Sequence, residues 1–379
     1  MQSFKIKPEI QYFDTFKEFA DQASLGTRDL IVTNERRYNQ FVKPLGIEVP
    51  AIFRENYGNG EPTDEMINAM MAEAERYDYD RIIAFGGGTI IDIAKVMALR
   101  VPKSDTGYSS VELFTGAVPA EKAKELFIIP TTCGTGSEVT NVAIAELKSL
   151  KVKKGLASDA TYADKAVLIP ETLEGMPDYV FATSSIDALI HATESYLSPK
   201  ATHFTEMYSV KAIETILIGY MEILKRGGNR EENRRDLYKP FLIASTYAGI
   251  AFGNAGCGAV HALSYSIGGT FHVPHGEANY QFFTEVFKIY QKKMPEGKIA
   301  ALNSLIAAVT GCHPDEAYDE LDCILGQFVK KNNLREYGMT EEQIDIFTQS
   351  TVANQQRLLG NNYVSLSDAE LREIFANLY

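Results

Sequence analysis

Two rhythms divide the chain. Up to about residue 178, short apolar runs alternate with longer amphipathic ones. "DLIVTN" (29–34), "RIIAF" (81–85) and "LFIIP" (126–130) are short, mainly apolar runs, which predicts strands. Between them, "TDEMINAMMAEAERY" (63–77) and "TIIDIAKVMALR" (89–100) repeat their apolar positions at helical spacing, with Thr63 as an N-cap. Such alternation predicts a mostly parallel sheet flanked by helices. Beyond residue 178 strand-like runs become rare. Helical stretches dominate at 184–197, 204–225, 236–250, 277–292 and 297–309, and more amphipathic segments lead to the terminal "SDAELREIFANLY". The expectation is an α/β domain over 1–178 and an all-α domain over 179–379.

Composition narrows the partners. The 379 residues are 45% hydrophobic and 23% charged, as in a soluble globular protein. The net charge of −13 argues against nucleic acid, which needs clustered Lys and Arg. The four cysteines form no CxxC pair, and "MQSFKIKPEIQYF" carries no apolar run of the kind that targets a chain for export. Reduced thiols and a cytoplasmic location are expected. Pro240 to Gly276 contains no Asp, Glu, Lys or Arg, yet it holds many Gly, several Ser and Thr, and three His. That is the composition of an interior with a polar site in it, not of a membrane span.

Two loops follow strands. "RIIAFGGGTIIDIAK" reads strand, Gly86-Gly87-Gly88, helix beginning at Thr89, so that backbone N–H groups at the helix start face an anion. It is not the GxGxxG fingerprint. Asp92, in the first turns, either caps backbone donors or binds a ligand hydroxyl. "PTTCGTGSEVT" (130–140) follows the next strand and offers Thr131, Thr132 and Thr135. Two such loops at strand ends of one sheet make a nucleotide crevice, whereas a Ser/Thr-rich turn alone would not.

In "SSIDALIHATESYLSP" (184–199) Asp187 and His191 lie four apart, on one helical face. Of six histidines, His261, His272 and His275 fall within "HALSYSIGGTFHVPHGE". A lone helical histidine is usually a core residue. A buried Asp with several histidines in uncharged surroundings is costly unless a cation offsets it. Such a set suits Zn²⁺ or Fe²⁺, and spacing does not choose between them. His203 and His313 sit in polar company and are expected at the surface.

"GGGTIIDIAK", "PTTCGTGSEVT", "DALIHATESYLSP" and "AGIAFGNAGCGAVHALSYSIGGTFHVPHGEANY" together resemble the iron-containing (group III metal-dependent) alcohol dehydrogenases, across essentially the whole chain. The resemblance implies a dehydroquinate synthase-like fold: an N-terminal Rossmann-like dinucleotide-binding domain, then a helical metal-binding and substrate domain. It places metal ligands on Asp187, His191, His261 and His275. It places cofactor contacts on Gly86, Gly87, Gly88, Thr89, Asp92, Thr131, Thr132 and Thr135, and on Lys153 of a hairpin-like segment. It also implies a homodimer. The motif "AGIAFGNAG" followed by "HVPHGEANYQFFTEVF" resembles the branch acting on 4-hydroxybutyrate and succinate semialdehyde.

Two positions depart from the family pattern. Asn34 stands where many members carry an Asp that receives the adenosine ribose, so NAD is expected over NADP on weaker grounds. Tyr265 stands where some carry another histidine, and His272 is the candidate to relay the proton instead. The implied reaction is hydride transfer between NAD(H) and a primary alcohol or aldehyde, with Fe²⁺ (or Zn²⁺) as Lewis acid. A glycerol-type polyol dehydrogenase would keep the fold and prefer diols. A metal hydrolase would use the same ligands but have no need of two phosphate-cradling loops.

Overall fold

The structure, a computed structural model, describes residues 3–379. It divides into two compact units, one of residues 6–132 and 137–174, the other of residues 3–5, 133–136 and 175–379.

The first unit is built on a six-stranded sheet. Its order is Glu9–Tyr12, Lys165–Leu168, Glu125–Pro130, Arg81–Gly86, Asp29–Thr33, Ala51–Phe53, and every pairing is parallel. The central strands alternate their side chains between two cores. Leu30, Val32, Ile82, Ala84, Leu126 and Ile128 face one core, together with helices Asp64–Ala74 and Gly88–Met97. Ile31, Ile83, Phe85, Phe127 and Ile129 face the other, where Phe16, Phe19 and Phe41 pack. Burial on both faces explains why these strands read as unbroken apolar runs. Thr63 caps its helix as the sequence predicts, accepting from the Met66 amide at 3.1 Å. The edge strand Glu9–Tyr12 escapes such a reading, because its side chains are largely exposed. A separate hairpin pairs Val142–Leu147 with Val152–Ala157.

The second unit is helical. Helices Asp178–Leu197, His203–Lys225 and Tyr238–Ala255 pack on one another, and Ala259–Phe271 and His275–Lys293 follow as an adjacent pair. The predicted 184–197 helix begins earlier, at Asp178, directly after Pro177. Gly276 is required by close packing: a Cβ there would lie 2.3 Å from the Thr183 carbonyl. The first turn of His275–Lys293 is thereby pressed against the Asp187 helix. Among the described residues, no helix is long and apolar enough to cross a membrane.

Candidate functional site

In the helical unit three helices converge on one point. Asp178–Leu197 supplies Asp187 and His191, Ala259–Phe271 supplies His261, and His275 opens the next helix. One donor atom from each of the four lies within 4.8 Å of the others. Asp187 Oδ1 is 3.9 Å from both His261 Nε2 and His275 Nε2. Asp187, His191 and His261 are buried, whereas the His275 side chain is 33% exposed and marks the open side.

The electrostatics suit a cation. Burial pushes His191 down to about 3 despite Asp187, so its ring is neutral and keeps a lone pair. Burial pushes Asp187 up, but the three imidazoles and the Asn279 amide outweigh this and hold it below its usual range. Asn279 Nδ2 stands 2.8 Å from Asp187 Oδ1 and 3.1 Å from both His261 Nε2 and His275 Nε2. An amide has two N–H hydrogens and cannot serve three acceptors. Three imidazole nitrogens and one carboxylate crowded around one amide fit a divalent ion of the Fe²⁺ or Zn²⁺ type.

The orientation of the four side chains has identifiable causes. Glu194, buried one turn beyond His191, holds His261 Nδ1 at 2.6 Å and the Val260 amide at 2.7 Å. The ring proton is thereby kept on Nδ1, and Nε2 is turned inward. Cys257 lies in the same cluster, but burial pushes its thiol up, so it stays neutral. Glu277 receives the Tyr179 and Tyr337 hydroxyls, which ties the His275 turn to its neighbours. Phe252 stacks on His191 at 4.1 Å and joins Cys257, Tyr265, Leu358 and Leu359 in an apolar cluster beside the donors. His272 is exposed in the left-handed conformation (φ 56°) at the end of the His261 helix. His203 and His313 are surface residues.

In the α/β unit the other candidates gather at the carboxyl ends of neighbouring strands. Gly86 pairs with Pro130, so Gly86–Thr89 and Thr131–Thr132 lie side by side. The Thr131 amide donates to the Gly86 carbonyl at 3.1 Å. The Gly88–Met97 helix starts from Gly87 without a side-chain cap, which leaves its N-terminal donors for a ligand. Asn34 ends the adjacent strand. Asp92 is engaged internally: it accepts from Ser137 Oγ and the Ile144 amide, both at 3.0 Å. Lys153 sits on the hairpin, 2.6 Å from Glu61. Thr135 belongs to the helical unit, where Gly136 (φ 54°) fits because a Cβ would come within 2.4 Å of Gly249 Cα.

The sequence reading missed Glu194 and Asn279. Glu194 continues the i, i+4, i+7 stripe of Asp187 and His191, and Asn279 lies four after His275, so both were marked by helical spacing.

A profile described as "Iron-containing alcohol dehydrogenase" matches residues 10–170, and one for the C-terminal part of the Fe-containing alcohol dehydrogenase family matches 181–379. The chain belongs to the iron-containing alcohol dehydrogenases. Within this family it is 51% identical over 379 residues to the 4-hydroxybutyrate dehydrogenase of Clostridium kluyveri, covering 100% of each chain. It is 30% identical over 319 residues to long-chain-alcohol dehydrogenase 1 of Geobacillus thermodenitrificans, covering 83% of this chain and 79% of the relative. The fold of the iron-containing alcohol dehydrogenases is also that of a sulfoacetaldehyde reductase from Bifidobacterium kashiwanohense, solved with NAD⁺. It matches at a TM-score of 0.82 and 21% identity, over 100% of this chain and 98% of the other.

Proposed function

We propose that this dehydrogenase interconverts 4-hydroxybutyrate and succinate semialdehyde, using NAD(H) and Fe²⁺, with Zn²⁺ as a second ion the donors accept. The observation that carries the reading is the full-length 51% identity to an enzyme of that name, joined to the Asp187, His191, His261 and His275 donor cluster. The alcohol R–CH₂–OH loses a hydride to NAD⁺ and a proton to solvent, giving R–CHO, NADH and H⁺. When bound, a divalent ion supplies Lewis acidity and the dinucleotide carries the hydride.

In this reading Asp187, His191, His261 and His275 hold the ion. Neutral His191 keeps its lone pair, and Glu194 keeps the His261 proton on Nδ1. The apolar wall at Phe252 and Tyr265 excludes water. His272 passes the substrate's hydroxyl proton to solvent from its exposed ring. Gly86, Gly87, Gly88 and Thr89 receive the diphosphate. Thr131, Thr132 and Thr135 contact the nicotinamide half, while Asn34 and Lys153 contact the riboses. Asp92 acts by bracing the loop through Ser137 and the hairpin through Ile144. Residues 1–178 form the dinucleotide-binding domain and 179–379 the metal and substrate domain. The working form is a cytoplasmic homodimer, to be read from its mass in solution and from cell fractionation.

The test is anaerobic. Protein stripped with a chelator is given succinate semialdehyde and NADH, with Fe²⁺, Zn²⁺ or no metal. Consumption of NADH restored by Fe²⁺ is expected. Folded protein that consumes none with either ion overturns the assignment, and turnover of vicinal diols in preference would move it to a polyol dehydrogenase.

A further inference from the structure

Dinucleotide sites of this type commonly place a carboxylate at a strand end, where it accepts from the adenosine ribose hydroxyls and repels a 2′-phosphate. Here the strand Asp29–Thr33 ends at Asn34, which carries no charge. The neighbouring edge strand supplies one. Register pairs Thr33 with Phe53, so the chains leave the sheet together and residues 34–35 run beside 54–55. Glu55 Oε2 accepts from Asn34 Nδ2 at 3.1 Å, and Glu55 Oε1 accepts from the Glu35 amide at 2.6 Å.

We propose that Glu55 is the residue that selects NAD(H) over NADP(H), supplying from the adjacent strand the negative charge that Asn34 lacks. This rests on the dinucleotide reading above. Two hydrogen bonds fix the carboxylate, so it does not swing aside for a phosphate. With one Asn34 Nδ2 hydrogen committed to Glu55, the pair offers two acceptors, the charged Glu55 carboxylate and Asn34 Oδ1, beside one remaining neutral N–H. Ribose hydroxyls are donors and suit them; a phosphate dianion does not. The nearby cations do not reverse this balance. Arg37 is turned away, donating to the Glu174 carbonyl at 2.8 Å and to Gln40, and Arg54 donates to the Gly58 carbonyl at 2.8 Å. Arg36, exposed beside the strand end, has a partner of its own.

The test measures binding, apart from turnover. NADH and NADPH are titrated by their own fluorescence into the parent protein, Glu55→Ala, Glu55→Gln and the double variant Asn34→Asp with Glu55→Ala. The parent is expected to favour NADH. Both single variants should shift the NADPH-to-NADH affinity ratio toward NADPH by about 10-fold or more, the scale of one close charge pair near a protein surface. The double variant should restore the parent's preference, because it puts the charge back from the other strand. An unchanged ratio in folded Glu55 variants overturns the proposal, as does a parent that favours NADPH. If the single variants do not fold, a folded double variant that fails to favour NADH also overturns it. A parent that binds neither dinucleotide would sink the dinucleotide reading as well, whereas NADH binding with unaltered selectivity in the variants would remove only the role of Glu55.

Discussion

Each unit buries a cluster of charged side chains, and the two are finished differently. In the α/β unit Lys95 is wholly buried beside Asp92, yet its ammonium has three partners: Ser137 Oγ at 2.8 Å, Thr140 Oγ1 at 3.2 Å and the Val142 carbonyl at 2.7 Å. Asp92 in turn has two donors. Every charge there is answered by the protein itself. In the helical unit, three acceptors share the two hydrogens of one amide at Asn279. A closed polar cluster is architecture, because an unmet buried group costs about 1–3 kcal/mol and folding tends to eliminate it. An open one is kept for a ligand.

The sharpest way to break this contrast is to remove a donor from the open cluster. Asp187→Asn or His191→Ala should abolish metal retention, read by elemental analysis. Turnover should fall by about three orders of magnitude, the several kcal/mol of transition-state stabilisation a Lewis acid supplies. Apo stability should change far less, since the cluster is incomplete without its ion. Activity near the parent's in metal-free variants would erase the distinction. The mirror experiment is Lys95→Met. Leaving Ser137 Oγ, Thr140 Oγ1 and the Val142 carbonyl without this donor should cost about 3 kcal/mol of stability, read in denaturant. A neutral outcome would mean that the closed cluster holds nothing in place.

Finer tests probe how each cluster is tuned. Glu194→Gln presents an amide donor to His261 Nδ1 or loses the Val260 cap. Metal affinity in competition with a chromophoric chelator should weaken by about 10- to 100-fold, with apo stability reduced only slightly. The smallest effect is a pH dependence. Burial lowers Lys95 to about 8 from 10.5, against the pull of Asp92 and Glu138. The unfolded chain therefore holds this proton more tightly than the folded one. Its cost is fully present below about pH 8 and relieved as pH rises toward 10.5. Relative to Lys95→Met, the parent should gain stability across that window, and parallel pH profiles would refute the assignment.

The two clusters were not equally legible. Asp187 and His191 stood out because i, i+4 spacing is visible in one dimension and both residue types are rare in an apolar helix. The doubly covered strands were legible for a related reason, since burial on both faces leaves unbroken apolar runs. Glu9–Tyr12 was not, because an edge strand with exposed side chains carries no such run. Lys95 was passed over because a lysine in a helix normally reaches solvent, and only the folded chain shows its three partners in residues 137–142. Asn279 carries no charge and so drew no notice, although its spacing from His275 was available. Glu55 was beyond reach: its link to Asn34 depends on the register of two parallel strands that share no local pattern.

His275 begins the last of the helices that carry the proposed metal donors, far along the chain from Asp187. A ribosome delivers these residues in order, and N-terminal units generally fold first during synthesis. The sheet can therefore take shape while the donor set is still missing a member. Ion capture then belongs to a late stage of the enzyme's birth, after its largest parallel sheet has formed, so a cell short of iron would accumulate a well-folded chain awaiting its last part.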